Sequence, residues 1–171
     1  LALSRDVQVA SAAVLLDVGR ASQAAEIGLD LGSQLQPQSR AHAKIIEARI
    51  ALRERKTVQA VEALTAAIKL SDLWTARYLL GVAYIEAGHG PEGLAELDAC
   101  MRRRGEAVAL FLDDVPTGRA LAPLKYWLAR AQQDVGQVAA ARDNYTAFLA
   151  LRSPSPDDPL VRDARRRLKA L

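Results

Sequence analysis

The chain has one cysteine, one methionine and two histidines in 171 residues. A single thiol excludes an internal disulfide, and Cys100 with the distant His42 and His89 gives no zinc-ligand spacing. Aromatic residues make up only 5%, and strand-favouring residues in general are sparse, which argues against a sheet. No run reaches the eighteen or so unbroken apolar residues that a membrane-spanning helix needs. An excess of one charge is also missing. Lys and Arg number 23 against 20 Asp and Glu, which excludes a disordered acidic or basic tail. What excess there is lies at the end: from Arg152 onward six basic residues face three acidic ones, and residues 1–151 are balanced. A nucleic-acid-binding chain wants a basic face across the fold, and that is not encoded.

What is present is helix-forming. Half of the residues are hydrophobic, and alanine fills roughly a fifth of the chain, the composition of a single all-α domain. Apolar residues recur at three- and four-residue spacing nearly throughout. Breaks at Gly19, Gln36-Pro37-Gln38, Lys56-Thr57, Ser71-Asp72, Gly88–Gly90, Asp113–Gly118, Gly136 and Ser153–Pro156 divide the pattern. The spacing predicts helices near 3–18, 20–32, 38–55, 57–70, 73–87, 91–104, 119–135, 137–151 and 159–170. Thr57 is expected to cap one helix start, Asp158 another, and Pro91 fits a first turn. Glu106–Leu112 reads as a short helix and Asp113–Gly118 as a loop. The chain begins at Leu1 with no leader pattern, so a piece of a longer protein is the expectation, with the cytoplasm favoured as its location.

Small residues repeat on a lattice. Ala48, Ala60 and Ala67 are spaced by twelve and seven, and Gly81, Gly93 and Cys100 share that spacing. Ala12, Ala24 and Leu31 begin it, and Ala129, Ala141 and Phe148 end it. Two antiparallel helices approach closely only where side chains are small, so each set marks one helical hairpin. Leu64, Leu97 and Tyr145 stand four residues past the second small residue, while the first unit has Gly28 there. Gly19, Gly88 and Gly136 fall between paired helices.

This lattice resembles the tetratricopeptide repeat family, with Leu80-Gly81, Tyr84, Gly88, Gly93 and Leu97 as the fullest unit. Arg77 and Lys125 stand where that family has an early Trp, and its closing Pro is absent. The resemblance implies an all-α, right-handed α-α superhelix of four hairpins, near 5–37, 41–72, 74–105 and 122–153. An insertion spans 105–119, and a C-terminal capping helix spans 158–171. A second, local resemblance runs through Phe111–Thr117, Tyr126–Gln132, Tyr145–Leu149 and Asp158–Leu168. It is similar to the carboxyl end of bacterial proteins in which such repeats follow a eukaryotic-like serine/threonine kinase domain or a winged-helix regulator domain. That implies a signalling parent and gives this chain no catalysis.

Other motifs have structural explanations. Gly88-His89-Gly90-Pro91-Glu92-Gly93 satisfies G-x-G-x-x-G, but a helix precedes it where a phosphate-binding fold has a strand. Asp113-Asp114 and Asp157-Asp158 read as cap and turn residues. His42 and His89 read as solvated surface side chains, and Cys100 as a small buried hydrophobe. Arg102-Arg103-Arg104 ends a helix, where the macrodipole favours cations. Arg162, Arg165, Arg166 and Lys169 follow helical spacing opposite Leu160, Ala164, Leu168 and Leu171, the pattern of a capping helix.

In the tetratricopeptide family the first helices line the concave side. The resemblance therefore implies a partner-binding groove of His42, Ile45, Arg49, Leu52, Thr75, Tyr78, Val82, Ile85, Tyr126, Arg130 and Gln133. Tyr78 and Tyr126 serve there as anchors or else pack between repeats. The expectation is a non-catalytic protein-interaction module with a protein or peptide partner, no cofactor and no metal. The alternatives are a self-associating scaffold, hence a homo-oligomer, and nucleic-acid binding through the basic last helix, which is less favoured.

Overall fold

A computed structural model describes residues 4–108, 118–152 and 157–171. These residues are all-α. Nine α-helices follow in order among them: α1 Arg5–Asp17, α2 Ala21–Ser33, α3 Pro37–Arg53, α4 Thr57–Leu70, α5 Trp74–Glu86, α6 Gly90–Arg102, α7 Leu121–Asp134, α8 Val138–Arg152 and α9 Pro159–Ala170. Single 3-10 turns at Glu106–Val108 and Gly118–Ala120 touch each other between α6 and α7. The remainder of the expected 106–112 helix and nearly all of the expected 113–118 loop lie outside the described residues.

The helices pack in consecutive pairs, α1 on α2 through α7 on α8, with α9 on α8 and α7. Each pair reverses through the same turn. The Gly19, Arg55, Gly88 and Gly136 N–H groups donate to the carbonyls of Leu16, Leu52, Ile85 and Gln133. The next N–H groups, of Arg20, Lys56, His89 and Gln137, donate to Leu15, Ala51, Tyr84 and Gln132, at 2.8 Å each time. This is the Schellman motif, which satisfies the last carbonyls of a helix through one residue in the left-handed region. Its φ values are +80°, +59°, +84° and +78°. The four turns recur at intervals of 36, 33 and 48 residues, the last lengthened by the segment between α6 and α7. The carbonyls of Arg20, Lys56, His89 and Gln137 then accept from Ala24, Ala60, Gly93 and Ala141. The turn therefore delivers the second small residue of each pair to the crossing point. Lys56 occupies the cap position of α4 with no side-chain hydrogen bond, and Thr57 is already helical. Thr57 is thus not the cap, because the incoming turn supplies that position. Asp158 does cap α9, accepting from the Leu160 N–H at 2.9 Å.

The lattice of small residues is the core. Ala12, Ala24, Ala48, Ala60, Ala67, Cys100, Ala129 and Ala141 are fully buried, as are Leu64, Leu97 and Tyr145 beside them. At Gly81 a Cβ would stand 2.7 Å from Leu97, and at Gly93 one would stand 2.6 Å from Ile85. These two helices touch backbone to backbone. Three apolar clusters follow along the chain, each running from one hairpin into the next. First helices also touch first helices, α1·α3, α3·α5, α5·α7 and α7·α9, and no comparable run joins the second helices. The stack therefore carries its first helices on the inner side.

The third hairpin has an ionic staple around Arg77 and Arg103. Arg77 binds Asp72 at 2.5 Å and Glu96 at 2.9 Å. Arg103 binds Asp72 at 3.1 Å, Glu106 at 2.8 Å and the Asp72 carbonyl at 2.9 Å. Arg103 thus joins the α4–α5 connection, the end of α6 and the first 3-10 turn, a role beyond the macrodipole expected for it. Its guanidinium is held well above its usual range by its hydrogen bond to Glu106, then by Asp72.

Arg55 is the one non-glycine left-handed residue described, a conformation that costs about 1 kcal/mol or more in a side-chain-bearing residue. Arg55→Gly is expected to raise unfolding stability by about 0.5–1 kcal/mol, and Gly136→Ala to lower it by about 1 kcal/mol. Urea titration checks both. Deleting 159–171 uncovers the partners of the fully buried Val161 and Ala164 and is expected to cost at least ~2 kcal/mol by the same measurement.

Candidate functional site

Five of the expected groove residues converge. His42, Ile45 and Arg49 share one face of α3 at helical spacing, and Thr75 and Tyr78 come from α5. They line one pocket of about 260 Å³ on the inner side. Its other walls are Val9, Ala10, Ala13 and Val14 of α1, Leu79 of α5, and Arg119 and Ala120 of the second 3-10 turn. The floor is apolar and the mouth carries arginine.

Tyr78 stacks on Trp74, with ring centroids 5.6 Å apart and planes within 8°. Trp74 is fixed in turn, since its indole N–H donates to the Cys100 carbonyl at 2.9 Å. Burial holds the Tyr78 phenol well above its usual range, although Trp127 and Arg49 pull it back. It is a neutral hydroxyl on a rigid ring.

His42 is 1% exposed, which corrects its reading as a solvated side chain. The α1 helix and α5 flank α3 and close over that face. Burial lowers its pKa to about 4, helped by Arg5 and opposed by Asp6, so the imidazole is neutral at pH 7.

Arg49 is partly buried, and no described carboxylate lies within ion-pair distance of it. Its pKa is pulled down by burial and then by Arg119, and pulled up by Asp17. Asp17 already serves two cations, Arg53 at 3.3 Å and Arg119 at 4.0 Å.

The other expected groove residues lie elsewhere. Val82 and Ile85 belong to the buried core. Leu52 and Arg130 line a second, polar depression of about 410 Å³ with Arg53, Arg55, Thr57 and Glu86. The Arg130 guanidinium there also lies over the Trp127 ring, 5.5 Å from its centroid. Tyr126 and Gln133 lie beneath α9. The Tyr126 hydroxyl donates to Asp163 at 2.7 Å, and Gln133 accepts from the Tyr145 hydroxyl at 3.0 Å and from Arg167 at 3.3 Å. Of the two tyrosines, Tyr78 faces the pocket and Tyr126 packs.

The α1 wall and Arg119 were missed from sequence. The α1 wall had a signal: the 36-residue interval maps Ile45 and Arg49 onto Val9 and Ala13. Arg119 had none, because it follows the insertion and lies outside the repeat register.

The remaining motifs stay structural. Gly88 is a turn, Gly90 and Pro91 open α6, and a Cβ on Gly90 would stand 2.9 Å from Asp134. Cys100 is buried, and burial pushes its thiol up to about 12. Asp113 and Asp114 lie outside the described residues. Among the described residues no three His, Cys, Asp or Glu side chains gather as a metal site would require, and no helix is long and apolar enough to cross a membrane. No family model, no curated protein and no solved structure matches the chain.

The burial of His42 has a pH signature. Its folded pKa of about 4 lies below the unfolded 6.5, so between these values the unfolded chain binds a proton that the native chain does not. Stability from this source is complete above pH 7 and falls with pH. The expected loss between pH 7 and 5 is about 2 kcal/mol. Urea titrations at both pH values should show that slope in the native chain and its removal in His42→Leu.

Proposed function

We propose that the chain is a tetratricopeptide-like, non-catalytic protein-interaction module that works as the carboxyl-terminal arm of a larger bacterial signalling protein, such as a serine/threonine kinase. The repeat assignment is supported by four identical turns on a 36, 33 and 48 interval, each setting a small residue against a small residue. The observation that carries the interaction reading is the inner pocket, in which three successive first helices present one apolar floor around the fixed Tyr78 ring. A concave apolar face with a rigid aromatic anchor and arginines at its mouth suits an extended peptide or a partner helix.

The test uses peptides selected for binding to the native chain from a random display library. Val14 is 58% exposed, so Val14→Lys obstructs the pocket mouth without disturbing the core. Tyr78→Ala removes the anchor. Each substitution is expected to weaken the selected peptides at least tenfold, about 1.4 kcal/mol, by fluorescence anisotropy. Unchanged affinity in Val14→Lys would overturn the assignment even if Tyr78→Ala proves unstable.

A further inference from the structure

We infer that the inner pocket recognises an acidic side chain flanked by an apolar one within the partner, with Arg49 as the principal contact and Arg119 as the second. This deepens the groove reading and rests on it.

Two further guanidinium groups act on Arg49, Arg119 at the pocket and Arg53 beyond it, and among the described residues Asp17 is the one carboxylate that opposes them there. Asp17 is taken by Arg53 and Arg119, which leaves Arg49 without a carboxylate among the described residues. A guanidinium withdrawn from water without a counter-ion is costly, and an incoming carboxylate recovers that cost through charge-assisted, bidentate hydrogen bonds. The lowered pKa of Arg49 is consistent with such a site. Beside it the wall is apolar: Ile45, Leu79, Val9 and Ala13, with the Tyr78 ring. The two chemistries lie side by side, so the matching group carries both. At about 260 Å³ the pocket falls below the roughly 300–1,000 Å³ of small-molecule sites. It holds one anchoring segment of a longer ligand.

The same reasoning separates this site from the other cationic surface. The outer face of α9 carries Arg162, Arg165, Arg166 and Lys169, and Ala170 is the one apolar residue among the described residues that line it.

The experiment is an amide NMR titration of the native chain with acetyl-Gly-Phe-Asp-Gly-amide and its Asn counterpart. Both termini are blocked, so only the side chain carries charge. The Asp peptide is expected to shift amides of α1, α3 and α5 around the pocket, and the Asn peptide to bind at least tenfold more weakly. Arg49→Gln should abolish that difference, while Arg49→Lys, which keeps the charge and loses the fork, should retain part of it. Without peptide, Arg49→Gln should melt no lower than the native chain, because it removes a partly buried cation with no carboxylate within ion-pair distance among the described residues. Equal binding of the two peptides, or a preference for Asp that survives Arg49→Gln, overturns the inference. Binding of 3-phenylpropionate as tight as that of the Asp peptide would also overturn it, in favour of a free acid. If library peptides respond to Val14→Lys yet show no charge preference, this inference fails and the groove stands. If they ignore Val14→Lys, the groove reading fails first.

Discussion

The structure depends on one steric constraint, the contact of two antiparallel helices at a pair of small residues. Gly81 against Gly93 is its tightest form, where a single methyl on either side would meet a leucine or isoleucine side chain well inside van der Waals distance. Such a crossing leaves no freedom in the turn that produces it. The reversal has to place the second small residue a fixed distance from the first, and the Schellman turn does this by hydrogen bonding. Its last donor is also the residue whose carbonyl accepts from the small residue of the next helix. Twelve residues from small to small is therefore a length set by the turn. The core follows from it, since a close crossing opens room beside itself that Leu64, Leu97 and Tyr145 fill.

A stack built this way has ends, and the two ends are treated differently. At the carboxyl end α9 lays Val161 and Ala164 on the last hairpin and ties itself down through Asp163. That carboxylate accepts from Tyr126 and pairs with Arg166 and Arg167. Those hydrogen bonds outweigh the burial of Asp163 and hold its carboxyl below the usual range. The basic residues Arg162, Arg165, Arg166 and Lys169 lie on the exposed outer face. At the amino end α1 keeps Val7, Val14 and Val18 exposed. Part of that helix instead serves as a wall of the inner pocket.

Most of the fold could be read from the chain because its constraints are local. Helix bounds, the four turns and the buried small residues are fixed by spacing within forty residues, and the structure places them within two or three positions of expectation. Arg55 shows how far the turn geometry rules. It adopts the left-handed conformation of the three glycines at the same point of its unit, although nothing in its chemistry favours this. The site was less legible because it depends on contacts between distant units. A repeat register treats every first helix alike, so it assigns Tyr126 and Gln133 to the same surface as Tyr78. It has no knowledge of α9, which covers α7 and leaves α5 open. It also misses Arg119, which stands in the 3-10 turn before α7, outside the repeat register, and lies 4.0 Å from Asp17 of the first unit. His42 differs for a related reason: a lone histidine among polar neighbours looks solvated until α1 and α5 close over it.

The electrostatics of the inner face depend on that same Arg119. Arg53 and Asp17 alone make an exposed ion pair at 3.3 Å, an ordinary surface arrangement of little energetic weight. The turn at Gly118–Ala120 brings a further arginine to that carboxylate and to the pocket that Arg49 lines. Among the described residues the partly buried Arg49 then has no carboxylate within ion-pair distance, and beside apolar walls, where the effective dielectric is lower than in water, a counter-ion counts for more. A feature that interrupts the repeat thus gives its inner face a polarity that the repeat by itself would lack. In the proposed interaction module, selectivity would come from this departure from the lattice, while the lattice supplies the rigidity that holds the face in place.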